Sequence, residues 1–200
     1  MTSELVAVSF DANDPTGLAH FWAAALRWDV GGGAQDMTEL IPIDGTRFGV
    51  RFRRVSEKKV GRNRIHLDLT TASVDDQDGT VSEMIGLGAQ HIDVGQTGDE
   101  PHVVLADPEG NELCIIGPDN NFLATCGRFG SITCDGSPAE AVSSRLHLEI
   151  APVGSDDQRA EVDRFVGLGA SRVELRDRDS GTVVMADPEG TEFRVLRSSS

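Results

Sequence analysis

The chain predicts an α+β fold assembled from repeated βαβββ modules, and three observations in its 200 residues carry that expectation. The first is an internal repeat. Arg64-Ile-His66-Leu-Asp68-Leu is matched by Arg145-Leu-His147-Leu-Glu149-Ile, and Asp107-Pro-Glu-Gly by Asp187-Pro-Glu-Gly. The histidines stand 81 residues apart, at 66 and 147, and the turns 80 apart, at 107 and 187, so a single gap aligns the copies. The second is Gly-Leu-Gly-Ala, found between those landmarks in both copies, at 86–89 and 167–170. The third is a change of hydrophobic period within each copy, from two to the helical 3.6 and back. Three landmarks in one order, twice, mark a repeated supersecondary unit.

Each copy opens on an alternating strand. In Ile65-His66-Leu67-Asp68-Leu69 the period of two puts the aliphatic residues on one face and His66 with Asp68 on the other. A helix follows, with Val81, Met84, Ile85 and Leu87 ahead of Gly88 in the first copy. In the second, Ser155 is the expected N-cap, and Val162, Phe165 and Val166 precede Gly169. A short strand at 91–94 and a hairpin of 103–106 with 112–116 complete the first copy. Its Asp107-Pro108-Glu109-Gly110 has the residue order of a type I turn.

The start of the chain reads as a diverged version of the same unit. Residues 4–10 form a strand, and Asp14-Pro15 opens a helix whose stripe is Leu18, Phe21, Trp22, Ala25 and Leu26. Two strands follow, around 38–43 and 48–53. Gly31 to Gly33 is a turn, since the further residues of a phosphate loop are missing. Further on, 129–135 forms one strand, but only Gly136 to Ser144 separates it from the next histidine strand, too short for a helix and three strands.

The module resembles the vicinal oxygen chelate superfamily, in its glyoxalase-like and bleomycin-resistance-like branch. The likeness rests on Ile65-His66-Leu67-Asp68, the Gly-Leu-Gly-Ala helix end and Asp107-Pro-Glu-Gly-Asn-Glu. It implies that two βαβββ modules pair into a curved, incompletely closed mixed sheet around a cleft. The expected organisation is a complete glyoxalase-like domain at 1–118, a linker with one strand at 119–143, and a partial domain at 144–200. The unpaired sheet of that last module needs a cover, either the 129–135 strand with the first domain or a second copy in a two-fold homodimer.

Metal-dependent members of the resembled family take histidines from first strands and a glutamate from the last strand of each module. Carried over by position, His66 matches, Ala7 cannot ligate, Cys114 stands where one glutamate belongs and Arg194 where the other does. The expectation is therefore no resident cofactor and no intact metal triad. His66 and Glu112, with Cys114, remain the candidates for a divalent ion such as Zn, Ni, Mn or Fe.

Composition narrows the function further. Hydrophobic content of 38% and charged content of 26% suit a globular protein, and no apolar run approaches the ~20 residues of a membrane span. The first residues lack the pattern of a signal peptide, so a cytoplasmic protein is expected. A net charge of −15 disfavours nucleic acid as a partner. Three cysteines without ligand spacing read as free thiols, and the absence of tyrosine removes tyrosine-based chemistry. Within this acidic chain, residues 47–64 are basic, and Arg51 and Arg53 share one strand face.

The leading expectation is thus a protein that binds a small, anionic molecule in the cleft of the N-terminal domain, with Arg51, Arg53, His66, Asp68, Glu112 and Cys114 as candidate ligand-binding residues. The alternatives are a divalent-metal-dependent lyase, isomerase or dioxygenase of the glyoxalase type, and a dimerising interaction module.

Overall fold

The computed structural model describes residues 3–33, 36–97, 100–135, 144–154, 157–173 and 181–198. The first module comprises β1 (Ser3–Ala12), α1 (Pro15–Leu26), β2 (Asp29–Val30), β3 (Met37–Ile41) and β4 (Gly49–Arg54). The second comprises β5 (Ile65–Thr70), α2 (Val74–Gly86), β6 (Gln90–His91), β7 (His102–Ala106) and β8 (Glu112–Ile116). After the lone strand β9 (Phe129–Cys134) comes the last module: β10 (Leu146–Pro152), α3 (Gln158–Gly167), β11 (Ser171–Arg172), β12 (Val183–Ala186) and β13 (Glu192–Val195). The βαβββ unit therefore occurs three times. In each, the first strand lies parallel beside the last, and its outer edge is left for a partner.

The strand pairing corrects the expected pairing of the first two modules. β1 joins β10 of the last module in antiparallel register, giving one sheet of order β11-β12-β13-β10-β1-β4-β3-β2. The second module forms a separate sheet of order β6-β7-β8-β5-β9. The side chains at the two seams match this pairing. Glu149 of β10 is fully buried and meets Arg51 and Arg53 of β4 across the seam, at 2.8 and 3.0 Å. Asp68 of β5 meets the hydroxyls of Ser131 and Thr133 on β9 instead. The free edge of β10 is thus closed within the chain by β1. β9 lies against β5 as β1 lies against β10: His66 is opposite Thr133 and Asp68 opposite Ser131, just as His147 is opposite Ser9 and Glu149 opposite Ala7. It occupies the place of the first strand of a module whose remainder would not fit in the nine residues that follow.

The first two modules share a core although they do not share a sheet. One cluster runs from Val8, Phe10 and Phe52 through Leu18, Trp22 and Leu26 of α1 to Leu67, Leu69, Leu113 and Ile115. The expected stripe of α1 is buried throughout, and the rings of Phe10 and Trp22 lie 5.1 Å apart. A smaller cluster of Val162, Met185 and Val195 underlies α3.

The helix starts differ from expectation in one respect. Asp14 makes no side-chain cap. The backbone N–H groups of Asn13 and Asp14 instead donate to the carboxylate of Glu109, at 2.8 and 2.7 Å, so the Asp-Pro-Glu-Gly turn of one module starts the helix of another. The N-cap expected at Ser155 falls outside the described residues; Asp157 accepts from the Arg159 N–H at 3.0 Å. Both turns have the expected form, with Gly110 and Gly190 at φ of +86° and +83°, where glycine is favoured. No helix among the described residues is long and apolar enough to cross a membrane.

Candidate functional site

Alternation along the strands gives each sheet one face on the core and one facing away, and both outward faces carry a histidine paired with an aspartate. On the larger sheet the outward face closes on itself. Arg51 donates to Glu39 at 2.9 Å and to Glu149, Arg53 donates to Glu149, and Arg194 donates to Asp11 at 2.7 Å and to the Ser9 hydroxyl at 2.6 Å. His147 Nε2 lies 3.2 Å from the second Asp11 oxygen. Burial opposes these carboxylate charges, yet His147 and Arg194 hold Asp11 at about 2, and Arg53 and Arg51 hold Glu149 below the ordinary range. Arg51 and Arg53, expected in a ligand cleft, are neutralised on a different sheet from His66.

On the five-stranded sheet the outward face lines a cavity of about 530 Å³. Ile65, Leu67 and Leu69 point into the core, which turns His66 and Asp68 outward as the period of two requires. Val104 and Cys114 lie opposite each other on the adjoining strands, and both line the cavity with Thr133 of β9. Arg62 and Arg64, just before β5, complete the wall with Asp135.

Asp68 is the centre of this face. One oxygen accepts from Ser131 at 2.5 Å and Thr133 at 2.6 Å; the other lies 3.2 Å from His66 Nε2. His66 Nδ1 lies 3.5 Å from Asp135. Burial disfavours a charged His66, but Asp68 and the Cys114 sulfur outweigh it and raise its pKa to about 10. Burial likewise works against charge on Asp68, and His66, Ser131 and Thr133 outweigh it, so its pKa is lowered. At neutral pH the floor is an imidazolium–carboxylate pair. An imidazolium can donate to a ligand but cannot act there as a base.

Glu112, on the same strand face as Cys114, is committed elsewhere: Lys59 Nζ holds one oxygen at 2.8 Å and the Asn63 N–H the other at 3.2 Å. The cluster with metal-ligand spacing among the described residues is therefore His66, Asp68 and Cys114, whose donor atoms lie within 4.8 Å of one another. Asp68 takes the place expected for Glu112. Sequence reasoning missed Ser131 and Thr133. Arg62 and Arg64 lie in the basic run 47–64, but that run pointed to Arg51 and Arg53 as the ligand-binding pair.

The His66 pair has a consequence for stability. A group whose pKa rises on folding stabilises the fold fully below its unfolded value, near 6.5, and that stabilisation is lost as pH rises through about 10. Replacing His66 by Gln is therefore expected to flatten the fall in urea-denaturation stability across that window; an unchanged alkaline slope would contradict the pairing.

A family model described as "Glyoxalase-like domain" matches residues 7–116 and 128–196. Among solved structures, the V278E mutant of glyoxalase I from Zea mays is 12% identical, with 98% of this chain and 92% of that chain covered and a TM-score of 0.60. A glyoxalase-related enzyme from Fulvimarina pelagi is 14% identical, with 66% and 98% covered and a TM-score of 0.49. None of the curated proteins matches the chain.

Proposed function

The chain belongs to the glyoxalase-like domain family, and from that premise we propose that it binds a small anionic molecule over the five-stranded sheet, without an intact metal triad. The observation that carries this reading is the contrast between the two outward faces. The larger sheet spends its arginines on its own carboxylates. The cavity of the other sheet is bordered by Arg62 and Arg64, neither of which makes an ion pair with a described residue, while its His66 is paired with Asp68 and Asp135. In a chain of net charge −15 two arginines without carboxylate partners at one cavity are a local attraction for an anion.

The enzyme alternative is favoured by the proximity of His66, Asp68 and Cys114, whose donor atoms lie within 4.8 Å of one another. The reading without a metal triad rests instead on Ala7 and Arg194, which stand where metal-dependent members of the resembled family place ligands.

Elemental analysis of the purified protein, paired with a thermal-shift screen of small acids against their neutral amides, tests both readings. The expected result is metal well below one equivalent and stabilisation by acids alone. Stoichiometric Zn, Ni, Mn or Fe that disappears in His66→Ala would support the divalent-metal-dependent lyase, isomerase or dioxygenase instead. Substitution of Arg51 and Arg53 should lower stability and leave ligand binding in place.

A further inference from the structure

The two arginines that precede the histidine strands are related by the repeat, and each stands at the same hydrogen bond: Asp11 N–H donates to Arg145 O, and Asp135 N–H to Arg64 O, both at 2.8 Å. Each is nearly buried, Arg145 at 5% exposure and Arg64 at 6%. Their guanidinium groups are treated very differently.

Every nitrogen of Arg145 has an acceptor. Nε donates to Asp11 O at 2.5 Å, Nη1 to Asn13 Oδ1 and Glu57 O at 3.3 Å each, and Nη2 to the Glu109 carboxylate at 3.2 Å. In Arg64 only Nη1 is served, by Glu189 O at 2.6 Å and Thr191 Oγ1 at 3.3 Å. Its Nε and Nη2 are buried and have no hydrogen-bond partner among the described residues. These two nitrogens form one edge of the planar group, the edge that takes a carboxylate side-on through two parallel hydrogen bonds. Buried donors left without acceptors are costly, and native structures rarely keep them. Arg64 also forms part of the wall of the cavity that His66 floors.

We propose that Arg64 turns its unpartnered Nε–Nη2 edge, buried in the conformation seen, into this cavity to anchor the carboxylate of a small organic acid. The acid takes on Nη2 the role that the Glu109 carboxylate plays for Arg145, and on Nε that of the Asp11 carbonyl. The inference rests on the cavity being a ligand site and adds the class of ligand and the residue that selects it. The equivalent side chain of the chain itself, Glu189, is exposed and gives Arg64 only its backbone oxygen.

The test uses the full chain and a matched pair of probes, benzoate and benzamide, followed through the side-chain ¹⁵Nε resonance of Arg64 and the ring signals of His66. Benzoate should move the Arg64 resonance and benzamide should not. Arg64→Lys, which keeps the charge but loses the planar edge, should weaken benzoate by about tenfold or more. Glu189→Gln should leave benzoate affinity within about twofold. A rise of about tenfold in Glu189→Gln would show that Glu189 fills the edge in solution, and the proposal would fail. If both probes move His66 equally and leave Arg64 unmoved, the cavity remains a ligand site but the acid anchor is gone. Because the probe pair is read on the unaltered protein, the outcome does not depend on whether the Arg64 variant folds.

Discussion

Replacing Glu149 by alanine is expected to cost about 3–5 kcal/mol of stability, the range for breaking a buried ion pair by removing one partner. The carboxylate is fully buried, receives Arg51 and Arg53 at 2.8 and 3.0 Å, and has Arg194 at 3.8 Å. Alanine would bring those guanidinium groups together without their shared carboxylate, with Glu39 still on Arg51 and Asp11 still on Arg194. Chemical denaturation reads the loss directly. Glu149→Gln should recover part of it by retaining acceptor capacity for one arginine. A loss below about 1 kcal/mol would place this pair among exposed salt bridges and refute its role in joining the modules. The same network predicts acid sensitivity. Asp11, at about 2 in the folded protein, stabilises the fold above its unfolded value near 3.8, and that contribution is lost as pH falls towards 2.

A loss of similar size is expected for Trp22→Ala. The ring is fully buried against Phe10 and Phe21, and truncating a large buried aromatic costs about 3–5 kcal/mol. Its Nε1 also donates to Asp107 at 3.0 Å, which ties α1 to the turn between β7 and β8. Asp107 is 3% exposed, and burial raises its pKa to about 6 against the hydrogen bonds of Asn111, Trp22 and Glu109. A carboxyl raised on folding stabilises fully below about 3.8, and the contribution fades as pH rises through about 6. Losing the indole N–H should therefore hurt more at pH 7 than at pH 4. Trp22→Phe, which keeps most of the ring but not the donor, isolates that difference. A pH-independent loss in Trp22→Phe would mean that the hydrogen bond contributes nothing to holding the charged carboxylate.

The modules were legible because their information is local: an alternating strand, a stripe on a helix, a turn with proline and glycine in their places. The outward pointing of His66 and Asp68 follows from the same period. Which modules share a sheet was not legible, because β1 could present its edge to β5 or to β10, and the decision lies in Glu149 meeting Arg51 and Arg53 across the seam. The basic run of 47–64 was visible, but the neutralisation of two of its arginines was not, for the same reason. Ser131 and Thr133 carried no signal, since a serine and a threonine on a strand become partners of Asp68 only once the register of β9 is set. Arg64 could be set apart from its basic neighbours only by comparison with Arg145, whose acceptors are Asp11, Asn13, Glu57 and Glu109.

Because β1 is zipped to β10, a strand synthesised early waits for one synthesised more than a hundred residues later. Its other neighbour, β4, arrives early, but the seam that buries Glu149 cannot form until residues 146–152 have been synthesised. Contacts that distant in sequence close slowly. Until then the nascent N-terminal module presents an unpaired edge, the state in which a chain is most exposed to wrong partners.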